Sequence, residues 1–158
     1  MTSKQDLARM GFDQAFDRLR LASGDADAQD IEVTNALQHI YRLGEIRKGQ
    51  WRLGNPGLNS KVGVTAPGVL GLLWVRQFDT HDAVRVGSLE DVLSDYLDET
   101  VGSLTWRDAA SIEQAAAPKP GRYNSIYVDR KLDYSAHLAA RPVKDTLRAA
   151  FDALDTMT

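Results

Sequence analysis

Val143, Leu147, Ala150, Phe151 and Leu154 fall on one face of an α-helix, spaced mainly by threes and fours. A helix with such a stripe must bury it against other apolar faces, and the chain supplies them. Val33, Leu37, Ile40, Tyr41 and Gly44 form a second stripe, and Leu70, Leu73, Trp74, Gln77, His81 and Val84 a third. Leu7, Met10, Phe12, Phe16, Leu19 and Leu21 form a broader one near the start. The spacing predicts helices over about residues 4–23, 30–52 and 66–84 and from about Pro142 to the end. The fold class expected is mainly α, a four-helix-bundle-like core in one domain over residues 1–158. With no cysteine in 158 residues, disulfides, zinc–thiolate sites and cysteine nucleophiles are excluded. Stability then falls to the core, for which 43% hydrophobic residues suffice.

Between the third and last helices the pattern changes. A small β-hairpin or two-strand insertion is expected at about 84–130. Val84-Arg85-Val86, Leu104-Thr105-Trp106-Arg107 and Ser125-Ile126-Tyr127-Val128 are its candidate strands, the last pairing with the second. Leu89, Val92, Leu93, Tyr96, Leu97 and Val101 make a helix-like stripe, and residues 88–99 hold five acids and no base. Asn55-Pro56-Gly57 marks a turn within a loop over 53–65, with Thr65 as a cap for the helix that follows. A short helical segment is expected over 133–140.

The formal net charge of −3 argues against a strongly cationic, nonspecific nucleic-acid binder. The basic groups concentrate between Arg42 and Lys61, where five face a single acid, Glu45. No 18-residue apolar run is present, and residues 1–6 lack the apolar core of a secretion signal, so no membrane association and a cytoplasmic setting are expected. Glycine-rich phosphate loops and nucleophile-elbow motifs are absent.

One segment carries chemistry: Arg76-Gln77-Phe78-Asp79-Thr80-His81. On a continuous helix, Arg76 and His81 stand about 140° apart around the axis, so the pair flanks a groove rather than stacking. Histidine exchanges protons near neutral pH and suits activation of a ribose 2′-hydroxyl or protonation of a leaving 5′-oxygen. Arginine keeps its charge and directs several donors at a phosphate. The same spacing also arises on ordinary helix surfaces.

This Arg-x4-His helix resembles the signature of the HEPN superfamily, small helical domains that include many metal-independent RNases and toxins. The resemblance implies a homodimer in which Arg76 binds phosphate and His81 transfers protons, without cofactor or metal. Gln77 stands where that family commonly has asparagine, and would orient RNA or His81. The order of elements over about 30–155, and the tail beginning Tyr134-Ser135-Ala136-His137-Leu138, is also similar to a group of uncharacterised actinobacterial proteins. Arg47, Lys48 and Arg52 would extend an RNA path, with Trp51 or Trp74 available for base stacking. His39 is a candidate to assist His81, or a surface histidine. His137 is a candidate for helix docking. Two functions follow: a metal-independent endoribonuclease-like protein of a defence or toxin system, or a noncatalytic protein that binds or regulates RNA or an antitoxin-like protein partner.

Overall fold

The computed structural model describes residues 1–22, 25–51, 66–86, 104–116 and 125–156, with 47–51, 85–86 and 125–126 described for the backbone alone. In chain order these form α1 (Lys4–Leu21), α2 (Ala26–Trp51), α3 (Val69–Val75), α4 (Thr80–Ala83), β1 (Val84–Val86), β2 (Leu104–Trp106), α5 (Ala109–Ala115), α6 (Ser125–His137) and α7 (Val143–Thr156). The fold is mainly α; among the described residues α1, α2, α6 and α7 are the long helices and there is one small antiparallel strand pair.

Ser3 starts α1 with a capping box. Its hydroxyl accepts the Asp6 amide at 3.0 Å, and the Asp6 carboxylate accepts the Ser3 amide at 3.2 Å. Those bonds hold the Asp6 carboxyl below its ordinary range. Ala8, Phe12, Ala15 and Leu19 are buried at helical spacing. α1 and α2 run antiparallel: Arg18 meets Glu32 at 2.9 Å, and the His39 ring lies where a side chain at Gly11 would sit. α7 is antiparallel to α1 as well. Arg9 and Gln5 bond Asp155, Arg148 bonds Asp13, and the Phe12 and Phe151 rings stack 4.0 Å apart at 5°.

α3 carries no stripe because every one of its residues is buried. It crosses α6 closely at Gly71, where an added Cβ would lie 2.6 Å from the Cα of Tyr134. Asp133 of α6 caps α3 from outside, accepting the Gly71 amide at 2.8 Å. Burial pushes the Asp133 carboxyl above its ordinary pKa, against the pull of the Gly71 amide, His137 and the Gly68 amide. His137, 3.8 Å from Asp133, belongs to this helix-docking cluster.

The third helix is not the continuous 66–84 segment that periodicity predicts. α3 ends at Val75, and three-residue turns follow: Gln77 donates to Trp74 and Phe78 to Val75. The reason is Asp79. It adopts an extended backbone and accepts the His81 amide at 3.0 Å, starting α4 instead of continuing α3.

The strand expectations are met in part. β1 pairs antiparallel with β2, in the register Val84↔Trp106, Arg85↔Thr105 and Val86↔Leu104. Residues 125–128 are not the partner of β2; they begin α6. Four alternating residues do not separate strand from helix, and packing decides: Tyr127 is buried with its ring against Trp74. The other side of β2 is taken by the α6–α7 connection. Trp106 donates its amide to Arg141, Ala140 donates to the Trp106 carbonyl, and Thr105 bridges Pro142. The strand pair is therefore fixed to the core rather than appended to it. The 53–65 loop, the Thr65 cap and the stripe over 89–101 lie outside the described residues. No helix among the described residues is long and apolar enough to cross a membrane.

His39 gives the fold a pH dependence. Burial lowers its pKa below 6.5, and the charges of Arg42 and Arg18 lower it further. The folded state thus favours the neutral ring, and the unfolded chain binds the extra proton first. Stability is full above pH 6.5 and declines as pH falls from there toward the folded-state pKa. Melting temperatures between pH 7.5 and 5.5 should fall for the natural chain and fall less for His39→Gln. Parallel curves for the two proteins would refute this role.

Candidate anion-binding cleft

α2, the end of α3 and α6 enclose a cleft of about 300 Å³ lined by Tyr41, Gly44, Glu45, Leu73, Arg76, Gln77 and Arg130. Each lining residue is placed by the local fold. Gly44 and Glu45 lie three and four residues after Tyr41 on α2 and so share its face. Arg76 is the C-cap of α3, where the break at Asp79 turns the chain away and leaves its side chain beside α2. Arg130 comes from the middle of α6, between the buried Tyr127 and Tyr134.

Arg76 is held in two ways. Its guanidinium carbon lies 3.6 Å from the centre of the Tyr41 ring, and Nη2 donates to Gln38 Oε1 at 3.2 Å. A guanidinium over an aromatic face gains cation–π attraction while keeping its in-plane donors for other partners. Its Nε is buried with no hydrogen-bond partner, and so is the Nε of Arg130. Burial pulls the Arg130 pKa down, and the nearby Tyr41 and Glu45 oppose that shift. Arginine remains charged through such a shift. Among the described residues neither arginine forms an ion pair with a carboxylate. The cleft thus holds two cations, one carboxylate and two buried donors that lack an acceptor.

His81 does not line this cleft. Its Nδ1 lies 3.1 Å from Asp30, and the side chain is 79% exposed. Thr80, next to it, bonds Thr34 at 2.7 Å, so α4 docks against the first half of α2. Asp30 and Gln38 are eight residues apart on α2, roughly 12 Å along the axis at 1.5 Å per residue. The cleft residues lie further along still. The imidazole and the guanidinium are anchored at separate stations, and the break after Val75 removes the shared helix on which their pairing was expected.

Gln77 does line the cleft with Arg76. Arg47 and Lys48 lie on the last turns of α2, their side chains outside the described residues, as is Arg52 altogether. Trp74 is fully buried among Phe78, Tyr127 and Tyr134, and so offers no stacking surface. His39 packs against α1 at Gly11. Among the described residues no group of three or more His, Cys, Asp or Glu side chains is arranged to hold a metal ion.

Arg130 was not legible as a site residue. The signal was present, since Tyr127, Arg130 and Tyr134 fall at helical steps, but reading 125–128 as a strand hides it. Tyr41 reads as core packing from sequence, and its second role as a platform for Arg76 depends on where α3 stops. Comparison with protein-family models, with curated proteins and with solved structures returns no match.

Proposed function

We propose that this protein binds RNA without cleaving it, receiving a phosphate in the cleft between α2, α3 and α6. The observation that carries this reading is the pair of guanidiniums, Arg76 and Arg130, on one cleft with their Nε donors unspent. Charge-assisted hydrogen bonds to phosphate are the strongest use of such donors. The HEPN resemblance supports RNA as the polymer, and Arg47 and Lys48 on the same helix support a path for its backbone. The separate anchoring of His81 on Asp30 favours binding over proton transfer at that phosphate. In this reading the protein is a cytoplasmic, homodimeric accessory factor of a defence or toxin system, and light scattering in solution tests the dimer.

The experiment is incubation with mixed RNA in EDTA, with binding and cleavage both measured. Arg76→Ala is expected to weaken binding about 10- to 100-fold, the equivalent of one lost charged hydrogen-bond set. It should also lower the dependence of affinity on salt by about one phosphate contact. His81→Ala should leave binding unchanged. EDTA-resistant cleavage suppressed by both substitutions would overturn this reading in favour of the endoribonuclease.

A further inference from the structure

We infer that Gln38 and Tyr41 are positioning residues for Arg76: together they fix its guanidinium at the cleft without neutralising it, so that its charge stays available to an anion. This rests on the reading of the cleft as an RNA-phosphate site and names the residues that fit Arg76 to that task.

A contrast with other arginines of the fold carries the inference. Arg9, Arg18 and Arg148 tie α1 to α7 and α2, and each meets a carboxylate: Asp155 at 2.7 Å, Glu32 at 2.9 Å and Asp13 at 3.0 Å. An arginine held in that way spends its charge on the fold. Arg76 also reaches across to a neighbouring helix, from the end of α3 to α2, but both of its partners there are neutral. One is the amide oxygen of Gln38 at 3.2 Å, and the other is the ring face of Tyr41 at 3.6 Å. Among the described residues it forms no ion pair. The one acid of the lining, Glu45, lies four residues beyond Tyr41, about 6 Å along the axis, and its charge acts on Arg130.

The two contacts constrain different motions. Tyr41 fixes the plane of the guanidinium, and Gln38 fixes its rotation within that plane by taking one donor of Nη2. The two residues are three apart on α2 and so are neighbours on its surface, which lets one side chain from another element reach both. A fork held in one orientation loses less freedom when it binds, and the affinity gains by that saving. A glutamate at position 38 has the same reach and would hold the fork as well, but it would pair with the charge. Glutamine keeps the positioning and leaves the charge.

The test is fluorescence anisotropy of a labelled oligouridylate of about ten nucleotides, titrated with each protein at several salt concentrations, with melting temperatures measured alongside. Gln38→Glu is expected to lower affinity about tenfold and to reduce the salt dependence by about one phosphate contact, although the hold on Arg76 becomes tighter. Tyr41→Leu should weaken binding about 2- to 5-fold, the equivalent of an exposed cation–π contact, with the salt dependence unchanged. Tyr41→Phe keeps the ring face and should restore affinity to within about twofold. Because both residues act through Arg76, neither Gln38→Glu nor Tyr41→Leu should shift affinity by more than about twofold once Arg76 is already alanine. Should Tyr41→Leu melt early, Gln38→Glu with and without Arg76→Ala carries the test, since it changes one atom of an exposed side chain. Losses of equal size with and without Arg76 would overturn the inference, because Gln38 and Tyr41 would then act on the RNA or the fold directly. Natural affinity in Gln38→Glu and Tyr41→Leu, with Arg76→Ala weakened, would overturn it and leave RNA binding standing. No binding by the natural chain would overturn both.

Discussion

Replacing Gly71 with alanine is expected to destabilise the protein by about 3 kcal/mol, the upper end for overpacking a core. In an ordinary helix interior the same change stabilises by about 1 kcal/mol, because alanine is the better helix former. The sign reverses here because of what the methyl group meets. Its nearest neighbours would be the Cα and amide nitrogen of Tyr134, at 2.6 and 2.8 Å, and Leu138 Cδ1 at 2.8 Å. A side chain can rotate away, whereas the backbone of α6 moves only with the whole helix. Separating α3 from α6 also weakens the bond from the Gly71 amide to Asp133. The same displacement widens the cleft, because Arg76 ends α3 and Arg130 sits on α6. Urea unfolding should show a lower midpoint with an unchanged slope. A midpoint equal to or above the natural one would mean that α3 and α6 do not cross as closely as the glycine implies.

That crossing illustrates what the sequence discloses and what it hides. The stripes in α1, α2 and α7 are each apolar on one side and polar on the other, so periodicity locates them, within four residues at the start of α2. α3 is apolar all round, so periodicity ran past its end and into α4. The break depends on whether Asp79 caps a new helix or faces solvent within an old one, and local propensity allows both. Ser125–Val128 misleads for a related reason: β-branched and aromatic residues at the start of a helix alternate like a strand when only four are considered. The candidate site inherits these limits. Arg76 and Gln77 were legible from their motif, and they do share a cleft. Their expected companion, His81, needed a continuous helix, while Arg130, 54 residues further on, enters only through the α3–α6 crossing.

Substitution of Trp106 by alanine should cost about 3–5 kcal/mol, the range for removing a large buried aromatic side chain. Its relative exposure is 1%, so nearly all of its apolar area leaves water on folding. Four parts of the structure meet on this residue: β1, the turn after α6, α6 itself and α7. Its backbone pairs with Val84 on one side and with the Ala140–Arg141 turn on the other. Its ring packs edge-on against Tyr134 at 6.3 Å, and Tyr134 in turn lies 4.9 Å from Trp74 of α3. Its indole N–H donates to Thr146 of α7 at 2.7 Å. Trp106→Phe keeps an aromatic ring while removing that donor and part of the volume, and a loss of roughly 1–2 kcal/mol is expected. The ordering Ala far below Phe, and Phe below the natural chain, distinguishes a packing role from a hydrogen-bonding one. Chemical denaturation of the three proteins measures it. Near-equal losses for Phe and Ala would place the energy in the Thr146 bond, and no loss for either would remove Trp106 from the core. Because Tyr134 connects Trp106 to Trp74, the alanine variant should also loosen the distance between Arg76 and Arg130. Any phosphate affinity of the cleft should then fall together with stability, although Trp106 lines no part of it.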